Sequence, residues 1–238
     1  MFIEKTNICI IPAKGKSERL PGKNIKKLHG KTLLSYTVEV AKRSELFDDI
    51  VVSTNSEDVA RIALKCGARV PYNRPSYLDE SQSGVASVCF DMLQYLKTEE
   101  SLIFENTFIL LPTSPFRKPE YLHEAYKLFC NHPECKALMS VTELSYPPFW
   151  ALVRKRGNNI MTRLFGSEAK RRRHELPKTY KPDGMVMILR TEDFIAQGNY
   201  EFEDILTYQT PGYGGLDIDT LEDFAFAEFL LKRGDISL

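Results

Sequence analysis

The sequence predicts an α/β protein in which a mainly parallel sheet is covered by helices on both faces. Three observations carry this reading. Short apolar runs of strand length recur at residues 7–11, 49–53 and 108–111. Segments with helical spacing lie between them, as in Leu33, Tyr36, Thr37, Val40 and Ala41, or Val85, Val88, Cys89, Met92 and Leu96. The length of 238 residues suits one large domain, or one domain with an insertion.

In chain order, residues 7–11 read as a buried strand, and residues 11–24 carry it into a loop with two glycines, two prolines and four cations. A helical pattern resumes at Leu33. Residues 49–53 form a compact strand and residues 57–66 a helix; residues 69–71 have the composition of a short strand. Residues 85–96 are helical, 108–111 a strand, and Pro119 suits the first turn of a helix reaching Cys130. Residues 136–141 supply the next strand. Crossovers between parallel strands are right-handed, and ligands bind beyond the carboxyl ends of the strands.

The alternation breaks at residues 143–181. This stretch holds Tyr146, Phe149, Trp150 and several basic clusters, and is too long for an ordinary connection. It reads as an excursion from the core with a hairpin around Gly157 and Asn158. Strands return at 185–189 and 205–209, a glycine loop spans 212–215, and a helix over 221–232 follows. With no repeat and no interdomain linker, residues 1–238 read as a single domain carrying the 143–181 insert.

Composition excludes several classes. The 32 basic and 32 acidic residues balance, so the electrostatic footprint of a nucleic-acid-binding protein is missing. The apolar runs are too short to span a membrane, and the N-terminus lacks signal-peptide organisation. Five cysteines without a C-x-x-C pair suit a reducing, cytoplasmic setting. The four histidines show no metal-ligand spacing.

The loop after the first strand has the chemistry of a phosphate site, where backbone N–H groups and lysines converge on an anion. It is not a Walker A loop. Gly15 and Gly22 enclose six residues, and Asn24 stands where a magnesium-binding hydroxyl would follow the lysine. Nor is it the dinucleotide fingerprint G-x-G-x-x-G. The second signal is Asp217-Ile218-Asp219. Two carboxylates at i and i+2 on a strand share one face and can hold a hard divalent cation. Asp219 has a second explanation, because Thr220 and Asp223 form a capping box and an acidic residue there favours the helix dipole. Asp217 has none, and burying a lone carboxylate is costly.

Residues 11–24 resemble the signature of sugar nucleotidyltransferases. They are most similar to the cytidylyltransferases that activate sialic acids and related acidic sugars, I-P-A-R-x-x-S-x-x-x-x-x-K-N. Ile11, Pro12, Ala13, Ser17, Lys23 and Asn24 match. Lys14 replaces the usual arginine, which keeps the charge and loses the planar fork. Arg74-Pro75 with Leu78 resembles R-P-x-x-L, and Ser83 follows among small hydroxyl residues. The run from Pro112 to Arg117 resembles P-T-S-P-L-R, with Leu111 in place of a preceding glutamine. The run from Arg173 to Pro177 resembles R-Q-x-L-P, and the run from Lys181 to Gly184 stands near R-x-N-G.

The resemblance implies a three-layer nucleotide-binding fold whose excursion forms a small dimerisation and sugar-binding subdomain. It implies that CTP and an acidic nine-carbon α-keto sugar give a CMP-sugar and pyrophosphate. Lys14, Lys23 and Asp217 are then the catalytic residues, and Asp217 and Asp219 hold Mg2+. Ala13, Lys14, Ser17, Lys23, Asn24, Arg74 and Ser83 face the nucleotide. Leu111, Thr113, Ser114 and Arg173 face the sugar, with Arg173 meeting its carboxylate across a homodimer. The departure at Leu111 points to a modified sugar, with acetamido or deoxy positions, over N-acetylneuraminate. The alternatives are a 3-deoxy-octulosonate cytidylyltransferase, or a non-catalytic nucleotide-sensing subunit on the same fold.

Overall fold

The computed structural model describes residues 2–79, 84–155, 157 and 159–236. Strand β1 (Ile3–Pro12) opens the fold, and a small hairpin of β2 (Lys27–Leu28) and β3 (Lys31–Thr32) leads into α1 (Leu33–Ser44). Next come β4 (Asp49–Ser53), α2 (Glu57–Cys66), α3 (Val85–Glu99), β5 (Leu102–Ile109), α4 (Pro119–Cys130) and β6 (Ala137–Glu143). The excursion carries β7 (Leu152–Arg154) and β8 (Met161–Arg163). The chain then runs through β9 (Tyr180–Arg190), α5 (Thr191–Gln197), β10 (Leu206–Gln209) and α6 (Leu221–Arg233).

Six strands form the sheet in the order β10-β6-β9-β5-β1-β4. All run parallel except β9, which is antiparallel to both β5 and β6. Ile8, Cys9, Ile10 and Ile11 are fully buried, because β1 is covered on both faces. Their alternation sorts the layers. Cys9 and Ile11 pack with α1, α2 and α4, whereas Ile8 and Ile10 pack with α3 and α5. A third cluster joins Leu20, Leu28 and Phe116 to Ile218 and Phe224, so α6 seals the underside of the loops at the carboxyl edge.

The structure departs from the sequence reading at several places. The antiparallel β9 makes the sheet mixed, since an apolar strand buried on both faces carries no sign of its direction. Glu143 pairs with Tyr180, so the excursion leaves and re-enters within one antiparallel ladder. Residues 69–71 contribute a single bridge, Arg69 to Val51, because Pro71 has no N–H with which to extend it. Residues 216–219 are not a strand; the hydrogen bond from Ile218 N to Thr113 O (2.9 Å) ties them to the segment after β5. The short α5 was not read from the sequence at all. In the excursion β7 and β8 pair as a hairpin whose turn includes Gly157, at φ +82°; Asn158 lies outside the described residues.

Two buried polar residues hold the carboxyl edge together. Arg117, 3 % exposed, donates to the carbonyls of Met185, Leu111 and Gly184 and to Thr37 Oγ1. Burial lowers its pKa to about 10, which leaves it charged at neutral pH. Asp183, 2 % exposed, accepts from the Ser140 and Thr142 hydroxyls and from Met185 N. Gly215 packs against it so closely that an added Cβ would lie 2.3 Å from Asp183 Oδ2. Arg117→Lys should cost ~3 kcal/mol in urea unfolding, because lysine cannot reach all these acceptors and leaves buried carbonyls unpaired. A midpoint matching the wild type would show that the fork is dispensable.

Candidate active site

The phosphate-type loop is shaped by close approach. Gly15 N donates to Asn55 Oδ1 (3.0 Å), and a Cβ at Gly15 would sit 2.6 Å from the Ser56 Cβ, so only glycine fits. Asn24 is buried and its side-chain amide donates to Lys14 O (2.8 Å), closing the loop on itself. Gly22, at φ +66°, turns the chain into the single helical turn that starts at Lys23. Leu20 anchors the loop in the third apolar cluster. Ala13 is fully buried and its N–H donates to Ser53 O (2.9 Å), so it serves the loop by packing. Ser17 is half-buried in the loop.

Opposite stands the acidic pair. Ile218 is fully buried in the cluster under α6, and the carboxylates on either side of it reach the cleft. Asp219 Oδ1 pairs with Lys23 Nζ (2.7 Å) and Oδ2 with Arg19 Nη1 (2.8 Å). The helix cap belongs to its neighbours. Thr220 Oγ1 accepts from Asp223 N, while Asp223 accepts from the N–H groups of Asp219 and Thr220. The cap therefore leaves the Asp219 side chain for the cleft. Arg19 was missed by the sequence reading; its signal was its place as a cation between Ser17 and Lys23.

Asp217 Oδ1 is buried without a hydrogen-bond partner, and so is Thr113 Oγ1. Burial raises the Asp217 carboxyl above the usual carboxylate range. The nearby Thr113 hydroxyl pulls it back without reaching hydrogen-bond geometry, Asp219 raises it further, and Lys23 and Lys181 lower it. An orphaned carboxylate oxygen beside a second carboxylate fits a hard cation. Among the described residues no group of three His, Cys, Asp or Glu could hold a metal alone. Two carboxylates completed by phosphate and water match the habit of magnesium.

These groups line one cavity of about 360 Å³, which brings together Lys14, Lys23, Asn24, Arg74, Leu111, Thr113, Asp217 and Asp219. Arg74 is buried, and its N–H donates to Thr54 O (2.9 Å) at the end of β4. A second cavity of about 320 Å³ adjoins it, sharing Val85, Leu111 and Asp217 and lined further by Ile109, Met139, Met187 and Tyr200. Leu111 separates the two. Gly184, at φ +71°, passes so close that a Cβ there would lie 2.8 Å from Leu111 Cδ1. Larger clefts exist: one of about 640 Å³ at Leu93, Phe104 and Arg190 gathers no motif residue, and one of about 490 Å³ takes only Pro115, Phe116 and Arg117 from the 112–117 motif, away from the loop lysines and the acidic pair.

Two residues expected on the sugar side stand outside this cavity. Ser114 is fully buried and its hydroxyl donates to Asp183 O (3.3 Å), so it supports the loop from below. Arg173 lies on an exposed turn of the excursion, outside this cavity. Ser83 lies outside the described residues.

A profile described as cytidylyltransferase matches residues 8–224. The chain belongs to this family. It is 30 % identical over 227 residues to the pseudaminic acid cytidylyltransferase of Campylobacter jejuni, covering 95 % of this chain and 96 % of that one. It is 32 % identical over 233 residues to the CMP-N,N'-diacetyllegionaminic acid synthase of Legionella pneumophila, covering 97 % and 98 %. It is also 31 % identical to the N-acylneuraminate cytidylyltransferase of Streptococcus agalactiae, over 91 % of this chain and 51 % of that longer protein. A CMP-2-keto-3-deoxy-manno-octonic acid synthetase complexed with CTP superposes with a TM-score of 0.69 at 16 % identity, over 97 % of this chain and 100 % of the other. That last likeness concerns the fold.

Asp217 ties this site to stability with a definite sign. Its folded pKa lies above its unfolded value, so the folded state holds the proton more tightly than the unfolded one. Stability therefore falls as pH rises from the unfolded value of ~3.9 through the raised folded value, and the penalty is complete at neutral pH. Asp217→Asn should stabilise the ligand-free protein at pH 7 by ~1 kcal/mol, roughly 2–4 °C in Tm for a chain of this size. The gain should vanish near pH 3.5. A Tm at pH 7 equal to or below that of the wild type would contradict the strain assigned to this carboxylate.

Proposed function

We propose that this protein is a nonulosonic acid cytidylyltransferase, joining CTP to an acidic nine-carbon α-keto sugar to give a CMP-sugar and pyrophosphate. The observation that carries the reading is the single cavity in which Lys14, Lys23 and Arg74 face Asp217 and Asp219. Near-full-length identity of about 30 % to enzymes named for this activity supports it.

The anomeric hydroxyl of the sugar attacks the α-phosphorus, an O–P bond forms, and the bond to the bridging oxygen breaks to release pyrophosphate. The difficulty is charge, since an anion must approach a polyanion. Lys14 and Lys23 stand where they offset the triphosphate and the developing charge on pyrophosphate. Asp217 and Asp219 are the residues that would hold Mg2+, which when bound would supply further charge neutralisation. One of these two carboxylates takes the hydroxyl proton, directly or through water. No covalent enzyme intermediate is needed.

The adjoining apolar recess is the sugar side in this reading. Leu111, Met139 and Met187 suit methyl groups of acetamido or deoxy positions better than hydroxyls, which would be left unpaired at ~1–3 kcal/mol each. Two of the relatives above are named for such modified sugars. The 3-deoxy-octulosonate alternative rests on a 16 % likeness in fold only. Five free cysteines accord with a cytoplasmic setting, and no described helix is long and apolar enough to cross a membrane.

The excursion supports a homodimer. Tyr146, Leu152, Ile160, Met161, Leu164 and Phe165 are all more than 40 % exposed, a dense apolar group for a free surface. Arg173, away from its own cavity, would reach the partner's sugar carboxylate. Light scattering at micromolar concentration should give twice the chain mass, and Leu164→Asp with Phe165→Asp should give monomers with impaired turnover. Fully active wild-type monomers would remove Arg173 from the site.

A magnesium-dependent pyrophosphate-release assay with CTP and a panel of acidic sugars tests the activity. CTP should be preferred over ATP and GTP, and diacetamido-deoxy sugars over N-acetylneuraminate. Lys23→Ala should fold normally and lose about 100-fold in kcat, the value of one positioned cation. Equal turnover with a purine triphosphate, or a near-normal Lys23→Ala, would overturn the reading.

A further inference from the structure

The segment that carries Arg74 into the cavity is anchored by a group no motif contains. Tyr72 and Tyr77 lie on either side of Arg74 in sequence, and both hydroxyls donate to one carboxylate, that of Asp91. Tyr77 Oη meets Oδ1 at 2.8 Å and Tyr72 Oη meets Oδ2. Asp91 sits on α3, the helix whose opening residues Val85 and Val88 line the same cavity. One helical turn further on, Tyr95 stacks on Tyr72 with ring centroids 4.5 Å apart. The loop is thus pinned at two levels. The backbone of Arg74 is held by Thr54 O at the end of β4, and its flanking side chains are held by α3.

We infer that Asp91 is a positioning residue for nucleotide binding, a two-tyrosine clamp that fixes the Arg74 segment against α3 before the ligand arrives. The inference rests on the reading above that Arg74 contacts the nucleotide. Hydrogen bonds from a hydroxyl to a carboxylate are among the stronger neutral-to-charged kind, and two on one carboxylate fix its orientation as well. Burial first, then the bond to Asp91, raises the Tyr72 hydroxyl far above neutrality; the bond to Asp91 does the same for Tyr77. Both remain donors at any working pH. Arg74 opposes such shifts electrostatically at Tyr72 and at Cys89 on α3. A loop ordered in advance loses less entropy when the ligand binds, so the clamp acts on affinity and leaves the chemical step alone.

Calorimetric titration with CTP, without sugar, tests this on the full chain. Asp91→Asn keeps the shape but turns one acceptor into a donor, and should weaken CTP binding about tenfold; Tyr77→Phe, at an exposed ring, should weaken it about threefold with Tm unchanged. Arg74→Lys should weaken binding on its own. Adding Asp91→Asn to it should cost little more, because the clamp works through Arg74. If Arg74→Lys binds CTP as the wild type does, the nucleotide role of Arg74 fails and the clamp with it. If Arg74→Lys is impaired while Tyr77→Phe and Asp91→Asn bind normally, or if the losses add fully, the clamp is overturned and the nucleotide reading stands. Should Asp91→Asn not fold, Tyr77→Phe alone decides between these outcomes.

Discussion

Everything at this site depends on keeping two carboxylates side by side at the carboxyl edge of the sheet. Asp217 and Asp219 repel each other, and the fold relieves them unequally. Asp219 is held between Lys23 and Arg19, while Asp217 keeps a buried oxygen with no partner. The Lys23–Asp219 pair joins residues 196 positions apart, tying the first loop to the last helix. A half-buried ion pair of this kind stabilises little after desolvation. Its value is that the cations are already in place. Lys23 thus carries its charge into the cleft already paired with Asp219.

The polar scaffold beneath the site follows from the same demand. Loops at a strand edge expose backbone carbonyls, and buried carbonyls need donors. Arg117 serves those of Leu111, Gly184 and Met185 with one guanidinium, and Asp183 gathers the Ser140 and Thr142 hydroxyls on the next strand. Arg117 supports the cleft from beneath, and Asp183 also lines the adjoining recess. The reversal of β9 matters here, because it brings the segment from Lys181 to Gly184 beside Leu111 instead of at the far end of the sheet.

Much of this was legible in the sequence because local chemistry and global fold agree. The bounds of β4, α2 and α4 follow directly from their patterns, as Ser56 caps α2 and Pro119 opens α4. Lys14, Lys23, Asn24, Arg74, Leu111, Thr113, Asp217 and Asp219 were all named from motifs, and they line one cavity. What was not legible depends on contacts distant in sequence. The hydroxyl of Ser114 turns inward to Asp183, and only the three-dimensional path of β9 decides that. Arg19 reads as one more loop cation until Asp219 stands beside it. The direction of β9 leaves no trace in a run of apolar residues buried on both faces.

The two cavities draw on different parts of the fold. The one that gathers the motif residues is built from the loops after β1 and β5, the Arg74 segment and the stretch from Asp217 to Asp219. The adjoining recess adds Met139 on β6, Met187 on β9 and Tyr200 beyond α5, outside any motif, to Leu111, Asp183 and Asp217. The excursion springs from between β6 and β9, with Glu143 paired to Tyr180 at its base. The strands that line the recess are therefore those that carry the exposed apolar hairpin. The recess and the exposed apolar hairpin thus share β6 and β9, whereas the charged groups around Lys23 and Asp219 belong to the loops after β1 and before α6.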